Sequence, residues 1–236
     1  MKLIHAKLAR SIWLFDIRDM NPKGKDILRD LVSWIKDNYD FAIAPDPENP
    51  IANAAPRATT VAPKVEGIPG LTFQRGSFQA EEAVYLAIDS LTIYDDGIVV
   101  DSASSTEDAD KFALDLLTGA TQQFALAYDA ETVRKRLYLS ELVVRSDINL
   151  TSLNPALPAF AERISAPFSG TPGMPFTVGG LSFWSDTDGS GKQRMVRFER
   201  QAGRSLGENR YYSDAPMETR THFEMLEEFE RLFVGR

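Results

Sequence analysis

The sequence predicts an α+β protein: antiparallel β-hairpins with about four packed helices. Three observations predict it. Leu71, Phe73 and Arg75 alternate with Thr72 and Gln74, the period of a strand, and 84–94, 98–100 and 194–201 read as further strands. Asp/Gly-rich tetrads and hexads at 94–97 and 186–191 punctuate such stretches as hairpin turns do. Between them lie segments with apolar residues at helical spacing. The chain has 236 residues, 43% hydrophobic and 25% charged. Those values suit one large domain or two small ones with an adequate core.

Residues 6–17 read as extended, with Ile12, Trp13, Leu14, Phe15 and Ile17. Asn21-Pro22 then reads as a helix start, because Asn caps free amides and Pro tolerates the first helical position. Ile27, Leu28, Leu31, Val32 and Ile35 form that helix's stripe, and 39–44 reads as a short strand. Asp95-Asp96-Gly97 predicts a tight type I′ turn between strands at 84–94 and 98–100. The clearest helix follows, with a capping-box spacing at Ser104 and Glu107. Its stripe is Ala109, Phe112, Ala113, Leu116, Leu117 and Ala120. Residues 137–148 read as a strand. Asn154-Pro155 opens a helix bearing Leu157, Phe160 and Ile164, and 176–184 with 194–201 make a second hairpin. A loop to Ser213 leads to a last helix opened by Asp214-Ala215-Pro216, striped by Phe223, Leu226, Phe229, Leu232 and Phe233.

Residues 44–70 differ. They hold six of the thirteen prolines and no aromatic residue. Proline removes donors and favours extended neighbours, so the segment reads as a long loop or arm, mobile or lying across a partner. With the arm set aside, the chain divides into a first half, 1–130, and a second, 131–236. Each half reads strand, Asn-Pro helix, hairpin, amphipathic helix, as a duplicated β-α-β-β-α unit would. On this reading 90–94 and 180–184 correspond, each entering an Asp/Gly turn.

Composition limits the chemistry. Without cysteine there is no disulfide, thiolate nucleophile or zinc–thiolate site, and a reducing cytoplasm is the expected compartment. The first 18 residues are charged and lack the apolar run of a secretory signal, and no stretch is apolar enough to span a membrane. A net charge of −8 disfavours nonspecific nucleic-acid binding. His5 and His222 are the only histidines, and no Gly-x-Ser-x-Gly elbow exists. Residues 186–191 resemble the start of a calcium loop, but Arg197 stands where the bidentate Glu belongs. Gly189-Ser190-Gly191-Lys192 lacks the first glycine and the Ser/Thr of a phosphate loop.

Two patterns keep chemical alternatives open. The aspartate pairs Asp16/Asp19, Asp95/Asp96 and Asp186/Asp188 are the ligands a metal-dependent hydrolase would need to gather. Lys192, Arg194, Arg197, Arg200, Arg204 and Arg210 stand against Glu199 and Glu208, a local charge of +4, and could bind an anion or an acidic partner. The expectation for function is a noncatalytic intracellular binding or assembly protein, without cofactor, acting through a protein partner or as a homo-oligomer.

Overall fold

A computed structural model describes residues 1–49, 70–81, 84–129, 131–148, 150–154, 156–168, 176–187 and 192–234. Most of the proline-rich arm, 50–69, lies outside the described residues, and so does the expectation placed on it. The described residues form five α-helices and eight strands in antiparallel sheet, an α+β fold. In chain order these are β1 (Lys2–Leu14), α1 (Ile17–Met20), α2 (Leu28–Asn38), β2 (Leu71–Glu81), β3 (Val84–Tyr94), β4 (Gly97–Ser102) and α3 (Thr106–Phe124). Then follow β5 (Lys135–Arg145), α4 (Ala156–Ser165), β6 (Gly180–Trp184), β7 (Met195–Arg200), β8 (Arg210–Ala215) and α5 (Thr219–Val234).

Two compact units divide the chain. The larger comprises Ala6–Ser140 with Met217–Thr219, the smaller Met1–His5, Glu141–Pro216 and Arg220–Arg236. The boundaries fall within β1, within β5, and on either side of Met217–Thr219, where α5 begins.

In the larger unit the strands run in the order β2-β3-β4-β1. The β3–β4 turn holds Tyr94 opposite Gly97. Only Gly97 there has positive φ, at 146°, so the turn is not type I′, which needs positive φ at Asp95 and Asp96. A Cβ at Gly97 would strike the Trp13 carbonyl oxygen, so glycine lets β4 approach β1. The carbonyls of Asp95 and Asp96 accept from the amides of Ile17 and Phe15. α3 packs its predicted stripe inward, and Phe112 is fully buried with its ring edge-on to Tyr39 at 4.9 Å. Its cap is Ser105, whose side chain accepts from Asp108 N–H, one residue later than Ser104–Glu107 spacing implies. α3 runs on past Gly119 to Phe124, and Lys25 Nζ donates to the carbonyls of Phe124 and Ala125 at its C-terminus. α2 buries Val32 and Ile35. It starts at Leu28 rather than at Asn21-Pro22, because both Asn21 side-chain groups are bonded to the Lys25 backbone. Residues 39–44 make a single bridge, Ile43 to Gln74, rather than a strand.

In the smaller unit the order is β5-β8-β7-β6. Phe198 of β7 stacks on Tyr211 of β8 at 4.5 Å and meets Phe229 of α5 edge-on at 5.4 Å. Tyr211 anchors this layer by donating its hydroxyl proton to the Ile148 carbonyl. β8 occupies residues expected to be loop and helix start, and α5 begins only at Thr219. α5 turns His222 and Leu226 inward, whereas Leu232 of the expected stripe is exposed.

Candidate interaction surface

The structure first disposes the residues that sequence reasoning singled out. β7 splits the arginines by strand alternation. Arg197 projects to one face, donates to Asp214 on β8 at 2.7 Å, and lies over the Tyr212 ring at 5.3 Å. The hydrogen bond that Arg197 donates to Asp214 raises the Arg197 pKa further. Arg200 projects to the other face, over the Tyr211 ring, and donates to the Leu206 carbonyl. Arg210 pairs with Glu208. Lys192, Arg194 and Arg204 are exposed. The six cations therefore do not form one patch.

The aspartates have local tasks. Asp16 caps α1 and binds Arg18, whose hydrogen bonds hold the carboxyl below its ordinary pKa. Asp19 pairs with Arg134, and Asp186 accepts from the Thr187 amide. Asp188 and the rest of 188–191 lie outside the described residues. Among the described residues no three His, Asp or Glu side chains gather as a metal site.

His222 is fully buried on α5 with Nε2 2.9 Å from Ser213 Oγ. The pair looks like a base and its nucleophile, but the proton directions forbid that role. Ser213 donates its only hydroxyl proton to the Arg197 carbonyl at 2.7 Å. It can then only accept from His222, so His222 carries a proton on Nε2. Burial holds its pKa down to about 4. A histidine that donates to the serine cannot deprotonate it.

A second polar cluster lies in the larger unit. Asp110 on α3 accepts from Trp13 Nε1 at 2.7 Å, from Tyr138 OH at 2.9 Å, and from the Ser11 hydroxyl. Burial and this carboxylate push the Tyr138 pKa up to about 12. Three donors hold Asp110 in place, so the cluster ties α3 to β1 and β5.

What stands out is β6. It is the outermost strand of the smaller unit, and among the described residues nothing pairs with its outer edge. Arg200 N–H donates to the Gly179 carbonyl and Ser185 N–H to the Arg194 carbonyl, framing the β6–β7 register. Antiparallel bonding alternates, so Leu181 and Phe183 bond inward to β7. Gly180, Ser182 and Trp184 then point their N–H and C=O groups outward. The side chains alternate too: Phe183 emerges on one face at 56% exposure and Trp184 on the other at 62%. The strand, Gly-Leu-Ser-Phe-Trp, carries no charge and no proline. α4 buries none of its residues, and Phe160 on it is exposed.

Sequence reasoning found this strand as half of a hairpin but matched it to 90–94. The structure corrects that match: β3, which contains 90–94, lies between β2 and β4, whereas β6 is an edge. No helix of the described residues is long and apolar enough to cross a membrane. No protein-family model, no curated protein and no solved structure matches the chain.

Proposed function

We propose that the protein is a noncatalytic binding or assembly protein acting through protein–protein contacts, with β6 as its contact strand. One observation carries the reading: an uncharged edge strand whose outward backbone groups at Gly180, Ser182 and Trp184 have no partner strand among the described residues, and which exposes large aromatic side chains on both faces. Edge strands not meant for pairing are usually blunted by charge, proline or a bulge. An added strand gains main-chain hydrogen bonds for affinity and side-chain pockets for selectivity. The cytoplasm is the compartment this proposal assumes.

The same proposal takes the two units as copies of one β-α-β-β-β-α element, which refines the halves expected from sequence. Supporting it, β1 and β5 each stand beside the last strand of a three-strand meander, and each meander runs outward in reverse chain order. Asp101 on β4 and Thr106 on α3 are five residues apart, as are Asp214 on β8 and Thr219 on α5.

The test is selection of random dodecapeptides on the intact chain. Enriched peptides should lose binding to Ser182→Pro and Trp184→Lys variants whose melting temperatures match the parent. No enrichment, or binding indifferent to both substitutions, overturns the reading.

A further inference from the structure

We infer that the occupant of the β6 edge is a second copy of β6, paired antiparallel about a two-fold axis through Ser182. This rests on β6 being a contact strand and adds which partner it fits.

The argument is one of self-complementarity. Gly180, Ser182 and Trp184 carry the outward N–H and C=O groups. Two antiparallel copies centred on Ser182 place Gly180 opposite the partner's Trp184, Ser182 opposite the partner's Ser182, and Trp184 opposite the partner's Gly180. All three are residues with outward groups, so each pair exchanges two hydrogen bonds and every outward group of the five-residue strand is used. A shift of the register by one residue would set outward groups against inward ones.

The side chains fit the same register. On one face the large Trp184 ring lies over glycine, the one residue that leaves room for it. The Gly180 backbone already sits so close to Glu199 and the Phe198 carbonyl that no Cβ could stand there. On the other face Leu181 meets the partner's Phe183, an apolar pair of the kind that stabilises neighbouring strands. With no charge on β6, two copies bring no like charges face to face, despite a chain net charge of −8.

The pairing also closes. A two-fold contact consumes the edge of each copy, so it ends at a dimer. The larger unit's outermost strand, β2, does not offer a comparable edge. Ile43 bridges Gln74, Ala42 N–H donates to the Arg75 carbonyl, and Ser77 N–H donates to the Tyr39 carbonyl. Arg75 has a φ of 57°, and the register with β3 shifts between Gln79 and Glu81. These are the devices that blunt an edge.

The area sets the strength. The exposed parts of Phe183 and Trp184 amount to about 250 Å² per copy, against about 800 Å² per partner in a standard interface. The dimer is therefore expected to be weak and concentration-dependent.

Sedimentation velocity from 5 µM to 1 mM tests this on the intact chain. A reversible monomer–dimer equilibrium is expected, weakened at least tenfold by Ser182→Pro, which removes an outward donor at an edge position that tolerates proline. The register is read separately, because the chain has no cysteine of its own. Ser182→Cys should form covalent dimers with a short bis-maleimide, and Thr187→Cys should not, since the two-fold places the two copies of residue 187 far apart. If the chain stays monomeric at 1 mM, or Thr187→Cys cross-links as readily as Ser182→Cys, the self-pairing falls. Peptides that still bind through β6 in the selection above would then leave the contact-strand reading standing, and their absence would remove both.

Discussion

α2 and β2 in the larger unit, and α4 and β6 in the smaller, hold the same place in the chain order: the last α-helix before the meander, and the strand that opens it. Their packing differs. α2 buries Val32 and Ile35, and β2 buries Phe73 and Phe78 among Tyr39, Phe41 and Phe112. Three of those rings meet Phe112 with centroids between 4.9 and 6.3 Å. α4 buries nothing, and β6 leaves Phe183 and Trp184 largely in water. One arrangement of strands and helices is thus closed by its own side chains in one unit and left open in the other. An unblunted, aromatic edge in a fold that elsewhere blunts its edge is the main reason to read the smaller unit as the binding half.

Substitution energies should break or sharpen that contrast most directly. Phe112→Ala empties the centre of an aromatic cluster and should cost about 3–5 kcal/mol. Phe160→Ala removes a ring exposed to water and should change stability by less than about 0.5 kcal/mol. Urea unfolding of both variants measures the difference. Equal costs would mean that α4 is as firmly packed as α3 and that the contrast is false.

The pH dependence of stability probes the closed part of the smaller unit. His222 has a folded pKa of about 4, lowered by burial from an ordinary 6.5. The unfolded chain therefore binds the proton first. The contribution is fully present above pH 6.5 and is lost as pH falls from there to about 4, up to about 3 kcal/mol in all. His222→Gln keeps a side-chain donor for Ser213 without a titrating ring. Its unfolding free energy should be flatter than the parent's between pH 6.5 and 5, above the range where carboxylates dominate. Parallel profiles for parent and variant would show that His222 is solvated.

Much of this was legible in the chain. α3 announced itself because its stripe faces one continuous core, so local periodicity and tertiary burial agree. Its cap was misplaced by one residue because Ser104, Ser105 and Thr106 all offer hydroxyls, and only tertiary placement decides which one caps. β8 was missed for a different reason. Its inward positions are Tyr211, Ser213 and Ala215, and Ser213 is buried because it is bonded to Arg197 and His222 rather than because it is apolar. Strand alternation, already legible in the sequence, sends Arg197 and Arg200 to opposite faces; what the sequence hides is that Asp214, the Leu206 carbonyl and Glu208 already engage Arg197, Arg200 and Arg210. β6 was readable as a strand, but whether a strand is central or outermost depends on long-range pairing that no local pattern encodes.

The smallest effect concerns two threonines of the larger unit. Thr106 N–H donates to Thr219 Oγ1, and Thr219 N–H donates to Thr106 Oγ1, at 3.0 and 2.8 Å, both buried. Thr106 and Thr219 are the first residues of their helices, whose leading amides have no intrahelical acceptor. Each hydroxyl therefore satisfies the other helix's orphan donor. The two occupy matching positions, five residues after Asp101 and Asp214. Thr106→Val keeps the shape, removes the acceptor for the buried Thr219 amide, and should cost about 1–2 kcal/mol. Thr219→Val should cost the same within about 0.5 kcal/mol, because it leaves the equivalent amide unsatisfied in an equivalent place. Thr106→Ser should recover most of the loss, since it restores the oxygen and gives up only a methyl group. Unequal costs for the two valine variants would show that the two buried amides are not equivalent in energy.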